Sequence, residues 1–145
     1  MSTIVKNGQT KPRVVLDSNV LISAIVFGGK PRKLLDSVAD RSITIVIAEE
    51  LLTETRRIIV SKFPDFLEDL QRIEKLLKRD GILVKLGSIN VTVSRDPDDD
   101  KFIETAILGG CQYIVSGDKD LLTLESYENI QIVTVATFLD ILNDS

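Results

Sequence analysis

The sequence predicts an α/β fold: a three-layer α/β/α sandwich around a central, mainly parallel sheet. Short β-branched runs alternate with amphipathic segments almost throughout, the order that βαβ crossovers produce. The runs "RVVLD" (13–17) and "ITIVI" (43–47) are apolar without alternation, as strands buried on both faces are. A chain of 145 residues, 43% of them hydrophobic, is also long enough to bury a core of its own.

Residues 1–12 read as a flexible tail ending at Pro12, and 13–145 as a single domain. After the first strand, "SNVLISAIVF" is a helix broken by Gly28 and Gly29, and Pro31 suits the first position of the next, "PRKLLDSVAD". Beyond "ITIVI" come the helices "AEELLTETRRIIVSKF" and, opened by Pro64 and closed by Gly81, "PDFLEDLQRIEKLLKRD". "ILVK" and "INVTV" are short β-like pieces. A helix "DKFIETAILGG" beginning near Asp99 leads into the strand "YIVSGD". The helix "KDLLTLE", the strand "IQIVTV" and the helix "ATFLDILND" complete the order. No internal repeat or low-complexity stretch interrupts it.

Composition narrows the chemistry. The chain has no histidine, which removes Ser-His-Asp and Cys-His sites and any His-ligated zinc. Its lone cysteine, Cys111, permits no internal disulfide and suits a reducing compartment. The start "MSTIVKNGQTKPR" lacks an apolar core of signal-peptide length, and "VLISAIVF" is too short to span a bilayer, so a cytoplasmic protein without membrane attachment is expected. A net charge of −4 disfavours a binder that relies on a basic surface. Carboxylates must therefore carry any catalysis.

Their placement is informative. Asp17 ends the first strand and Asp118 follows "YIVS", so both fall at the carboxyl edge where parallel sheets open their crevice. Each also suits a plain helix cap. In "RDPDDDKF", helical phase aims Asp99 into the stripe of Phe102, Ile103, Ala106 and Ile107; Asp100 lies at its edge and Asp98 points elsewhere. A carboxylate aimed inward needs a partner or a metal. On the helix after "ITIVI", Glu54 sits on the margin beside Leu51 and Ile58, with Glu50 one turn earlier. Phase alone leaves Glu54 as a solvated surface residue.

In this order, "VVLDSNVLISA", "AEELLTETRRII", "DPDDDKFIETAI" and "YIVSGDKDLL" resemble the PIN-domain nucleases, above all the prokaryotic branch described as toxins of toxin–antitoxin pairs. The resemblance runs over about residues 13–140. It places the family's four core acids on Asp17, Glu54, Asp99 and Asp118, as catalytic residues and metal ligands. Asp96 and Asp120 match accessory acids, and Asn19 and Ser116 match polar positions that help hold the site; Ala48 stands where serine is frequent.

The resemblance implies a ribonuclease that cleaves RNA phosphodiesters with metal-activated water, a cognate antitoxin as partner, and a homodimer. All-oxygen ligands suit one or two hard cations, Mg²⁺ or Mn²⁺. In "RDPDDDKF" a division of labour is expected, with Asp99 as ligand, Asp96 as outer acid, and Asp98 and Asp100 as helix-start charges. Lys119, or the basic group Lys30, Arg32 and Lys33, offers cations for phosphates, although each also suits a solvated surface.

Other classes fit less well. A phospho-receiver domain wants an acidic pair near the first strand's end, where "VVLDSNV" has one Asp. A haloacid-dehalogenase-like phosphatase wants a second Asp where Asn19 stands. A non-catalytic, metal-stabilised binding module stays open.

Overall fold

The computed structural model describes residues 11–89, 92 and 97–144. Its six-stranded sheet holds β1 (Arg13–Leu16), β2 (Thr44–Ala48), β3 (Ile82–Val84), β4 (Tyr113–Val115), β5 (Ser126–Tyr127) and β6 (Ile130–Val133) in the order β3-β2-β1-β4-β6-β5. All neighbours are parallel except β5 and β6. The central strands are the ones without alternation: every residue of β2 is buried, and so are the last three of β1. Side chains on both pleat faces must then be apolar, which explains "RVVL" and "TIVIA".

From β1 the chain builds outward through β2 to β3, then crosses back so that β4 pairs on the other side of β1. The winding reverses there, and right-handed crossovers put the connecting helices on opposite faces. Helices α1 (Ser18–Val26), α2 (Gly29–Ala39), α3 (Glu49–Lys62) and α4 (Leu67–Asp80) pack on one another. Helix α5 (Asp100–Leu108) packs instead on β1, β2 and β4. After the short α6 (Lys119–Leu124), α7 (Val135–Asn143) returns to α2 and buries Phe138 completely. The buried carboxylate of Glu74 on α4 is paired, as it must be: Arg56 of α3 grips both its oxygens, with Nε donating to Oε2 at 3.1 Å.

The departures from expectation are local. Helix α2 starts at Gly29, so Pro31 is its third residue, not its first. A proline is tolerated there because the first-turn N–H groups have no intrahelical acceptor. Gly28 and Gly29, at φ 74° and 64°, supply the turn between α1 and α2. Pro64 opens a 3₁₀ turn, Pro64–Phe66, ahead of α4. The two-residue β5 is too short for any periodic signal; Glu125, at φ 60°, ends α6 just before it, and Glu128, at φ 53°, turns the chain back onto β6. At the N-terminus, the Pro12 carbonyl already accepts the Thr44 N–H at 2.9 Å. The strand expected over 89–93 falls largely outside the described residues.

One close approach fixes α5 on the sheet. Gly109, the C-cap of α5, lies against Val46 of β2, and a Cβ there would overlap Val46 Cγ1 and reach within 2.9 Å of Cγ2. Val46 is fully buried and its neighbours leave it nowhere to go. Gly109→Ala should cost about 1–3 kcal/mol by overpacking. In a double-mutant cycle read by urea unfolding, Val46→Ala should recover part of that cost; strictly additive losses would contradict the contact.

Candidate functional site

The reversal of winding between β1 and β4 opens a crevice beyond their carboxyl ends, where ligands of open α/β sheets bind. Leu16 and Val115 are paired, and the Asp17 N–H continues the ladder to the Val115 carbonyl at 3.1 Å. Asp17 and Asp118 therefore leave the sheet side by side. The cleft there has a volume of about 150 Å³ and is lined by Asp17, Ser18, Asn19, Leu51, Glu54, Ile58, Asp98, Asp99, Lys101, Phe102 and Asp118.

Each wall comes from a different element. Asp17 caps α1, its Oδ1 accepting the Val20 N–H at 2.8 Å. Its Oδ2 accepts the hydroxyl of Ser116, which is wholly buried and also accepts the Asp118 N–H at 2.9 Å. Asp118 caps α6, with Oδ1 accepting the N–H groups of Asp120 at 2.7 Å and Leu121 at 3.3 Å. The capping role allowed for both aspartates is thus real, yet it occupies one of Asp118's two oxygens and coexists with a place in the cleft.

Asp99 differs. It ends a 3₁₀ turn, Pro97–Asp99, at the mouth of α5 and is 6% exposed, but makes no capping hydrogen bond to that helix. One carboxylate oxygen each from Asp99, Asp118 and Asp120 lies within 4.8 Å of the others. Asp120 thus stands as near the centre of the cluster as two of the expected core acids. Glu54, half-buried on α3, faces them across the cleft between Leu51 and Ile58. Glu50, the alternative one turn earlier, instead accepts the Leu86 N–H at 3.3 Å, while Glu104 takes that of Gly87 at 2.7 Å.

Asn19 is exposed at the rim, and Asp96 lies outside the described residues. One expectation needs correction. Asp100 is not an edge residue in contrast to Asp99: it is 8% exposed, hence buried as well. Helical phase describes which side of a helix meets the core, but at a helix end sunk between other segments the first turn is covered from more than one direction. Asp98 does stay exposed.

The sequence reading also missed Lys101, which lines the cleft with Nζ 3.5 Å from Asp98 Oδ1. The cations it considered lie elsewhere. Lys119 is exposed outside the cleft lining, and Arg32 donates to the carbonyls of Ala24 and Ile25 at 2.8 and 2.7 Å, closing the end of α1. The signal for Lys101 was its place one turn after Asp98.

The donor set fits a hard divalent cation: carboxylate oxygens converging from separate elements, with no histidine or cysteine among the described residues of the cleft lining. Burial raises the Asp17 pKa above its usual value; hydrogen bonds from Ser116 and the Val20 and Gly117 backbone pull it down, and the neighbouring charge of Asp118 pushes it up again.

A sequence profile described as PIN domain matches residues 13–120. The fold is similar to the crystal structure of VapBC2 from Rickettsia felis bound to a DNA fragment from their promoter, with a TM-score of 0.56 and 13% identity over 83% of this chain and 96% of that one. A search among curated proteins found no match.

The raised Asp17 pKa has a sign that can be tested. The native state holds this proton more tightly than the unfolded chain, so Asp17's contribution to stability falls as pH rises from about 3.8 through its native pKa. Asparagine caps a helix as well as aspartate. In EDTA at pH 7, Asp17→Asn should therefore melt above wild type, and the gap should close as pH is lowered toward 3.8. A variant that melts lower by the same amount at every pH would contradict the assignment.

Proposed function

The chain belongs to the PIN-domain family, whose members are typically nucleases, and from that premise we propose a Mg²⁺- or Mn²⁺-dependent ribonuclease. The observation that carries this reading is the convergence of Asp99, Asp118 and Asp120, beside a cleft that Asp17, Glu54, Asp99 and Asp118 line together, at the point where the sheet reverses its winding. Residues bound only to cap helices would not gather there from four separate elements.

Asp17, Asp99 and Asp118 would hold the cation, with Asp120 beside them. When bound, it supplies Lewis acidity to the phosphoryl oxygen and lowers the pKa of a water. Ser116 positions Asp17 and, through the Asp118 N–H, the turn that carries the second acid. Glu54, which lines the same cleft, would accept a hydrogen bond from a water there or help to hold a second ion. The apolar side chains of Leu51, Ile58 and Phe102 narrow the cleft and limit bulk solvent.

The substrate is RNA, as the PIN-toxin resemblance implies. The protein acts as the toxin of a toxin–antitoxin pair in the cytoplasm, with a cognate antitoxin and as a homodimer. The fold neighbour named VapBC2 supports that partner class. No helix among the described residues is long and apolar enough to cross a membrane.

Two measurements test the reading. A cation that binds only the folded state stabilises by about 2.7 kcal/mol at a hundredfold over its Kd. Mn²⁺ should therefore raise the melting temperature where NaCl of matched ionic strength does not; equal shifts would remove the metal site. In cleavage assays with Mn²⁺, Asp99→Asn should lose activity by about 100-fold or more, the scale of removing one charge-stabilising group from a transition state. Undiminished cleavage would place the chemistry elsewhere.

A further inference from the structure

A polyanionic substrate that enters this cleft meets carboxylates from Asp17, Glu54, Asp98, Asp99 and Asp118. The proposed divalent cation would offset part of this charge, and a basic side chain of the protein's own would offset more of it at the rim. Among the described residues that line the cleft, Lys101 is the one basic side chain.

Its position is poor for stability. Lys101 is the second residue of α5, in the first turn, where the helix dipole disfavours positive charge. Its pairing with Asp98 spans 3.5 Å, and the two side chains are 40% and 83% exposed. Exposed pairs of this kind contribute little. The ammonium is thus loosely held, half in solvent, and within one cleft of the acids proposed to bind the cation. A lysine acts as a mobile point charge that suits a phosphate without demanding a fixed bidentate geometry.

We infer that Lys101 binds a phosphate of the RNA strand, exchanging Asp98 for the substrate as it docks, and so is a substrate-binding residue of this site. The inference rests on the ribonuclease reading for its substrate class. Asp98 then serves as a placeholder that keeps the ammonium at the rim when the cleft is empty.

The test is equilibrium binding of a fluorescein-labelled single-stranded RNA to the full-length protein, followed by anisotropy across a salt series with Ca²⁺ replacing Mn²⁺. One phosphate contact on a single strand contributes about 0.7 to the slope of log K against log salt. Lys101→Gln should lower that slope by about this amount, and Lys101→Arg should restore it. Asp98→Asn should bind RNA more tightly than wild type, because it frees the ammonium and removes a repelling charge. If Lys101 served only the helix, Asp98→Asn and Lys101→Gln would weaken binding together through the lost pair, and the inference would be overturned. An unchanged slope in Lys101→Gln, or no RNA binding by wild type, would overturn it as well. Cleavage with Mn²⁺ separates the two readings. A wild type that cleaves while Lys101→Gln keeps its slope loses only the lysine assignment. A slope loss in a protein that never cleaves leaves the lysine assignment standing and removes the catalytic one.

Discussion

Parallel pairing of β1 with β4 is the constraint on which the rest of the structure depends. It joins strands separated by most of the chain, Leu16 to Val115, and it brings Asp17 next to the turn that carries Asp118. The chain begins at the middle of its own sheet, extends one way, and must cross over to extend the other. Every helix takes its face from that choice, and the crevice lies where the two directions part. Ser116 then converts strand adjacency into contact between side chains. Its hydroxyl ties an acid from the first strand to a backbone N–H at the end of the fourth. Burying the Asp17 carboxylate is unfavourable even with such donors, and its raised pKa reflects that desolvation first, with the nearby charge of Asp118 adding to it.

Much of the architecture was legible because buried parallel strands leave an unmistakable apolar run, and because Gly28, Gly29 and Gly81 punctuate the helices between them. The class, the strands from β1 to β4 and the helices could be read within three residues. The hairpin at Ser126–Tyr127 could not, since two residues contain no period and the positive φ of its Glu128–Asn129 turn falls on the glutamate, not on the asparagine.

The acids were less evenly legible. Strand ends point to Asp17 and Asp118 directly. Helical phase reached Asp99 but misjudged Asp100, because phase reports a helix's flank and not its buried end. Glu54 could not be distinguished from Glu50 by phase; the two are separated by their neighbours, one facing the cleft and the other holding the Leu86 N–H. Those neighbours are far away in sequence, and no local pattern encodes them. Lys101 was passed over for the same reason, since a cation next to acids reads as simple charge balance until the cleft walls are known.

The capping role of Asp17 and Asp118 has a consequence for how relatives of this chain are compared. Both close the first turn of a helix, so selection for folding alone would retain them in a lineage that had abandoned chemistry. Their survival is a poor witness to catalysis. Glu54 and Asp99 supply no cap to the helices they stand on or precede, so helix capping does not account for a carboxylate at either place. In a decaying copy these two would drift first. Divergence at positions 54 and 99, with 17 and 118 intact, is the signature by which a retired descendant of this fold would be recognised.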